Sequence, residues 1–191
     1  MSTRFVLALA AATAALVTAT PTVAHAAPPP LEFFEEAAEA FWAVPHACAD
    51  GSTVSGTLLV HSTRDFSAPD TEDQQPTVRL QFLAVCPDGT SYSWGAPVLP
   101  ATITSRRLNR IHTAGAGTAR DIFGVTHQVT VDARWVGVGP VEVRRNAPGS
   151  RTKIREATAR AVVTFDGLVL AKGAANHPTR PAPFIRIDTE R

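Results

Sequence analysis

The chain has 191 residues, with 18 Lys and Arg against 17 Asp and Glu, a formal net charge of +1 and 45% hydrophobic residues. That length suits one domain with a sizeable core, and the near-neutral balance gives no overall charge with which to hold nucleic acid.

The first 26 residues read as a secretory signal peptide. Arg4 supplies the positive start, 5–17 the apolar run and Ala24-His25-Ala26 the cleavage site. The run is too short and too interrupted by Thr13 and Thr18 for a spanning helix, which needs about 20 apolar residues. The expected mature protein is therefore 27–191, a single β-rich domain that is secreted and extracellular, with no membrane span. Its charge is segregated along the chain. Ten acidic residues stand against Arg64 and Arg79 from Ala27 to Pro100, and fifteen basic against seven acidic follow from Ala101 to Arg191. Heavy use of Ala, Arg, Thr and Val suggests a high-GC bacterial source.

Leu31 to Val44 places Leu31, Phe34, Ala38 and Phe41 on one helical face with Glu32, Glu35, Glu36 and Glu39 mostly opposite, so a helix is predicted over 31–44. Cys48 and Cys86 each precede an Asp-Gly pair, in Cys48-Ala49-Asp50-Gly51-Ser52 and Cys86-Pro87-Asp88-Gly89-Thr90. An even cysteine count in an exported chain favours a Cys48 to Cys86 disulfide joining two turns. Thr53 to His61 reads as a strand, and 62–76, rich in turn formers and acids, as a mobile loop. Asp70, Glu72 and Asp73 in that loop lack calcium-loop spacing. Thr77 to Cys86 is a second strong strand, whereas 91–94, 102–104 and 108–112 are weaker ones. Ala114 to Thr118 reads as a flexible turn without the lysine of a phosphate loop.

The clearest signal lies from Val125 to Val138, where Val125, His127, Val129, Val131, Ala133 and Trp135 alternate with Thr126, Gln128, Thr130, Asp132 and Arg134. Period two marks a strand with one face in a core. Gly137, Gly139 and Pro140 should bend or bulge it. A strand from 157 to 165 follows, and Asp166-Gly167 is a two-residue hairpin that places Phe165 opposite Leu168 and Val163 opposite Leu170. The tail 176–191 reads as extended, its last part docking on the sheet. The run Trp135 to Pro140 with the 157–167 strand and turn resembles exported β-proteins of high-GC bacteria, a resemblance that implies no activity.

Six to nine strands argue for a mainly β fold, an antiparallel β-sandwich or small β-barrel with one N-terminal helix. The chemistry is sparse. His127 is the candidate general acid or base of a small barrel enzyme, with His112, Asp121 and Asp132 as further members; parity turns Asp132 away from His127 on the shared strand. His46, His61, His112, His127 and His177 show no metal-ligand spacing, and no metal or cofactor is expected. Tyr92 and Trp94, two residues apart, are the candidate platform for a glycan ring. Arg145, Arg151 and Lys153 surround a turn at 146–150 and are candidates for binding an anionic glycan or wall polymer. A non-catalytic binding module is the expected function, and the small barrel enzyme is the alternative.

Overall fold

A computed structural model describes residues 33–67 and 76–190. The leader 1–26 and the acidic residues Asp70, Glu72 and Asp73 lie outside the described residues.

Nine strands make one antiparallel sheet: β1 (Phe33–Ala47), β2 (Thr53–Ser67), β3 (Thr77–Val85), β4 (Ser91–Ser105), β5 (Arg110–Asp121), β6 (Thr126–Ala147), β7 (Ser150–Phe165), β8 (Leu168–Ala174) and β9 (Phe184–Glu190). Their order is β6-β5-β4-β3-β2-β1-β9-β7-β8, and a further β6–β7 pairing bends the sheet into a barrel-like ring. One edge of β7 is shared, with β9 along Arg151 to Glu156 and β8 along Arg160 to Phe165. The tail read as extended therefore supplies the strand that joins β1 to β7.

Alternation fills the interior. Leu58 and Val60, Val78 to Phe82, Val129 to Trp135 and Ala157 to Val163 each send every second side chain inward. Trp42, Trp94, Trp135 and Phe82 are its largest buried members. Burial at about 25 cal/mol per Å² of apolar surface is the principal stabilising term of such a core.

The N-terminal helix is absent, because 33–47 is β1. Ala37, Ala38 and Ala40 suit either period, and tertiary pairing overrides weak propensity. The inward row is Phe34, Glu36, Ala38, Ala40, Trp42 and Val44, and Glu36 conceals its period of two by standing buried among apolar neighbours. Its carboxylate accepts from Ser105 Oγ at 2.5 Å, while burial raises its pKa against the pull of that bond and of Arg64 and Arg107.

Two loop readings are corrected for a similar reason. β2 runs on to Ser67, with Ser62 buried and hydrogen-bonded through Oγ to Thr113 Oγ1 at 2.5 Å. Ala114 to Thr118 is the middle of β5. The Asp166-Gly167 hairpin forms with Phe165 opposite Leu168, but a register shift after Val163 places Ala171, not Leu170, opposite Val163. Both central residues of that turn have positive φ, 49° and 79°.

Cys48 and Cys86 form the disulfide, with Cα atoms 6.0 Å apart, tying the β1–β2 turn to the β3–β4 turn. The two turns are built alike: Asp50 accepts from the N–H and hydroxyl of Ser52, and Asp88 from those of Thr90. Gly51 and Gly89 hold φ of 83° and 85°, a left-handed conformation that glycine adopts freely.

Candidate functional site: a basic outer wall

His127 stands at the start of β6, at the end of the ring that carries the β5–β6 and β7–β8 turns. Its Nδ1 lies 2.7 Å from Asp166 Oδ2 and its Nε2 3.3 Å from Asp121 Oδ2. The ring stacks on Phe165 with centroids 4.3 Å apart. Each acid has a second task. Asp166 Oδ1 accepts from the backbone N–H of Gln128, and Asp121 Oδ1 from those of Phe123 and Val125. The bond to Asp166 raises the His127 pKa most, over an opposing desolvation, with Asp121 adding to it. In return the His127 bond lowers the Asp166 pKa, helped by Gln128 N–H. Burial pushes Asp121 up, but its bonds from Val125, His127 and Phe123 hold it below the ordinary carboxylate value. With a carboxylate at each ring nitrogen the arrangement clasps two turns, and a general base here would need one of those nitrogens released.

Asp132, read as facing away from His127, bonds His112 Nε2 at 3.2 Å on the outer wall. One imidazole between two acids is also not a metal cage; no group of three or more ligating side chains suited to a metal ion occurs among the described residues.

Tyr92 and Trp94 face inward from β4. Trp94 is 3% exposed, between Phe82 at 5.9 Å and Phe165 at 4.8 Å by ring centroids. It is nearly as enclosed as Trp135, because the turn ahead of it is followed at once by paired strand. Tyr92 stacks on His46 at 5.1 Å. These rings brace the barrel end; Trp94 offers no flat face to solvent, whereas Tyr92 is half-buried.

The hairpin of β6 and β7 brings Arg145 directly opposite Arg151, with Lys153 opposite Val143. Arg155 on the same strand is held elsewhere, donating to Asn109 Oδ1 and Gly139 O. Arg144 is neutralised by Glu142 at 2.7 Å.

A second group of cations lies lower on the same hairpin. Outward positions on four adjacent strands fall into register: Thr104 of β4 faces His112 of β5, His112 faces Arg134 of β6, and Arg134 faces Arg160 of β7. Arg110, Val136 and Thr158 make a second row. With Arg106 they line a groove of ≈ 630 Å³. Adjacent strands lie about 4.8 Å apart, so the row spans roughly 14 Å. Asp132, beside the row, is shared between His112 and Arg134, whose Nε is 3.6 Å away. Arg106, Arg110 and Arg160 have no carboxylate partner among the described residues. Sequence alternation predicts that Arg134 and Arg160 point outward, but only the register places them side by side.

No family model, no curated protein and no solved structure matches this chain. No helix among the described residues is long and apolar enough to cross a membrane.

Proposed function

We propose that this chain is an exported, non-catalytic β-barrel module that binds an anionic extracellular polymer across the outer wall of β4 to β7. The observation that carries the reading is the Arg134–Arg160 pair, two like charges held directly opposite on adjacent strands. Such a pair is destabilising in the free protein, and an anion laid over it removes the repulsion and adds charge-assisted bonds. The row extends beyond Arg134 to His112 of β5, Arg110 stands on the same strand in the neighbouring row, and Arg145 opposite Arg151 repeats the same juxtaposition at the hairpin tip. A groove open along the wall suits an extended chain of anions better than one buried ion. Export is supported by the Ala24-His25-Ala26 leader and by the Cys48–Cys86 bridge, which persists in oxidising compartments.

The rival reading makes His127 a general acid or base. It is favoured by the two carboxylates within reach, and it requires a substrate to displace one of them from the ring.

Retention on an immobilised sulfated glycan decides between binding surfaces. Wild-type protein is expected to bind at low ionic strength and to elute as salt screens the contacts, the screening length being about 10 Å at 0.1 M. Arg134→Gln with Arg160→Gln should elute at clearly lower salt, and Arg145→Ser with Arg151→Ser and Lys153→Ser should shift it less. Unchanged elution of the Arg134/Arg160 variant would sink the reading.

A further inference from the structure

Strands β4 and β5 separate in mid-course. Gly95 faces Arg120 and Ala101 faces Gly115, with one more residue on β4 than on β5 between these points. Pro97 and Pro100 stand in that interval and have no N–H to give a ladder. β4 instead sends Leu99 into the core, where it is 3% exposed. The facing strand is cut to receive it. A Cβ on Gly117 would lie 2.7 Å from Leu99 Cδ2, and one on Gly115 would lie 3.0 Å from the Pro100 carbonyl oxygen. Prolines on one strand and glycines on the other thus write the split into the sequence.

On the outer surface the split leaves a cleft of ≈ 400 Å³, lined by Arg79, Gln81, Ser93, Gly95, Pro97 and Arg120 among others. Gln81, Gly95 and Arg120 form one cross-strand row, so the middle of the row has no side chain and the floor is backbone. A Cβ at Gly95 would meet nothing nearer than the Leu80 carbonyl oxygen at 3.8 Å. Arg79, two residues from Gln81, shares its face. Guanidinium groups therefore stand on both sides of a bare floor, one on β3 and one on β5. Arg120 Nε donates to the Gly124 carbonyl at 3.1 Å, which anchors the side chain and leaves its terminal nitrogens as donors. Neither arginine has an ion pair among the described residues, and Asp121, which also lines the cleft, is committed to His127, Phe123 and Val125.

We infer that this cleft binds a sugar acid: a single pyranose-sized ring bearing a carboxylate, as in a uronic acid. The fork of an arginine matches a carboxylate in two parallel bonds, and the Gln81 amide and Ser93 hydroxyl supply both donors and acceptors for ring hydroxyls. The volume sits at the small end of ligand sites, enough for one sugar residue and too little for several. The inference stands apart from the basic wall, since it uses none of Arg106, Arg110, Arg134 or Arg160.

Titration of the intact protein with glucuronate, followed by amide chemical shifts, tests it. Saturable shifts at Gln81, Gly95 and Arg120 are expected, with glucose at least tenfold weaker. Arg79→Gln and Arg120→Gln should each weaken glucuronate about five- to tenfold, and Gly95→Val should abolish binding by filling the floor. Arg134→Gln with Arg160→Gln should leave it unchanged, so that failure of the basic wall and failure of the cleft are separable. The two arginine variants carry the test if Gly95→Val lowers the melting temperature. Absence of saturable shifts at the cleft, equal affinity for glucose, or full affinity in both arginine variants would overturn the inference.

Discussion

Asp166 grips the start of β6 twice, through Oδ2 to His127 Nδ1 at 2.7 Å and through Oδ1 to the backbone N–H of Gln128 at 2.8 Å. A turn residue of the β7–β8 hairpin thereby fixes the β5–β6 hairpin, because His127 also reaches Asp121. The clasp is an electrostatic lock, and its pH dependence follows from the two directions of shift. The raised His127 pKa gives stability that is fully present below the unfolded value of about 6.5 and is lost as pH rises through the folded value. The lowered Asp121 and Asp166 pKa values give stability that is present above about 3.9 and is lost as pH falls through their folded values. The contribution of the clasp is therefore greatest between about pH 4 and 6.5. Melting temperatures of wild type and His127→Gln, measured from pH 4 to 9, should differ most near pH 5.5 and converge toward pH 9. A difference independent of pH would mean that the ring acts by packing on Phe165 alone.

The Cys48–Cys86 bridge closes a separation of 38 residues. On the chain-entropy account it stabilises by about 4 kcal/mol. Cys48→Ser with Cys86→Ser should lower the melting temperature markedly while each Asp-Gly turn keeps its own hydrogen bonds. Intact mass of secreted protein should fit a start near Ala27 with no free thiol.

Two strand glycines, Gly137 on the inward row that continues from Trp135 and Gly95 on the outer face, should respond oppositely to a methyl group. A Cβ on Gly137 would come within 2.1 Å of the Leu108 carbonyl oxygen and 2.8 Å of Arg155 Cδ, whereas one on Gly95 has open space to 3.8 Å. Gly137→Ala should cost about 2 kcal/mol or more, through backbone displacement at the β6 irregularity. Gly95→Ala should leave chemical denaturation almost unchanged. Equal effects would mean that the β6 bend does not depend on the close approach of Leu108.

Where buried and exposed positions alternate without exception, sequence and structure agree. Val129 to Trp135, Ala157 to Val163 and the Asp166-Gly167 turn were all readable, as was the bulge after Gly137. The disulfide was readable because both cysteines sit in the same turn chemistry. Legibility failed wherever an inward position carries a polar group or no side chain. Glu36 made β1 look helical, Ser62 made the end of β2 look like a loop, and Gly115 and Gly117 made β5 look like a turn. Each is explained only by a partner far along the chain, respectively Ser105, Thr113 and the inward Pro100–Leu99 bend. The basic wall was hidden for a related reason: Arg134 and Arg160 lie 26 residues apart, and register, not composition, makes them neighbours. Tyr92 and Trp94 had the right spacing for one face, but spacing does not say which face. Trp94→Ala should accordingly cost about 3–5 kcal/mol as a core truncation, measured by denaturation.

The like-charged pair on the outer wall permits a test in which stability and binding move in opposite directions. Arg160 faces Arg134 and has no carboxylate partner among the described residues, so their direct juxtaposition is a cost that Asp132 offsets only on the Arg134 side. Arg160→Glu converts that pair into opposite charges on adjacent strands, an exchange worth about 0.2–1 kcal/mol in a sheet. The position is exposed, so no burial is lost and salt should reduce the gain. The variant should therefore unfold at slightly higher denaturant than wild type at low ionic strength and at the same denaturant at high ionic strength. Its retention on the sulfated glycan should fall further than that of Arg160→Gln, since it adds repulsion as well as removing a contact. A gain in stability with retention unchanged would assign the row of arginines to solubility. A fall in stability would show that Arg160 is held by the fold itself and that facing Arg134 is no cost in the free protein.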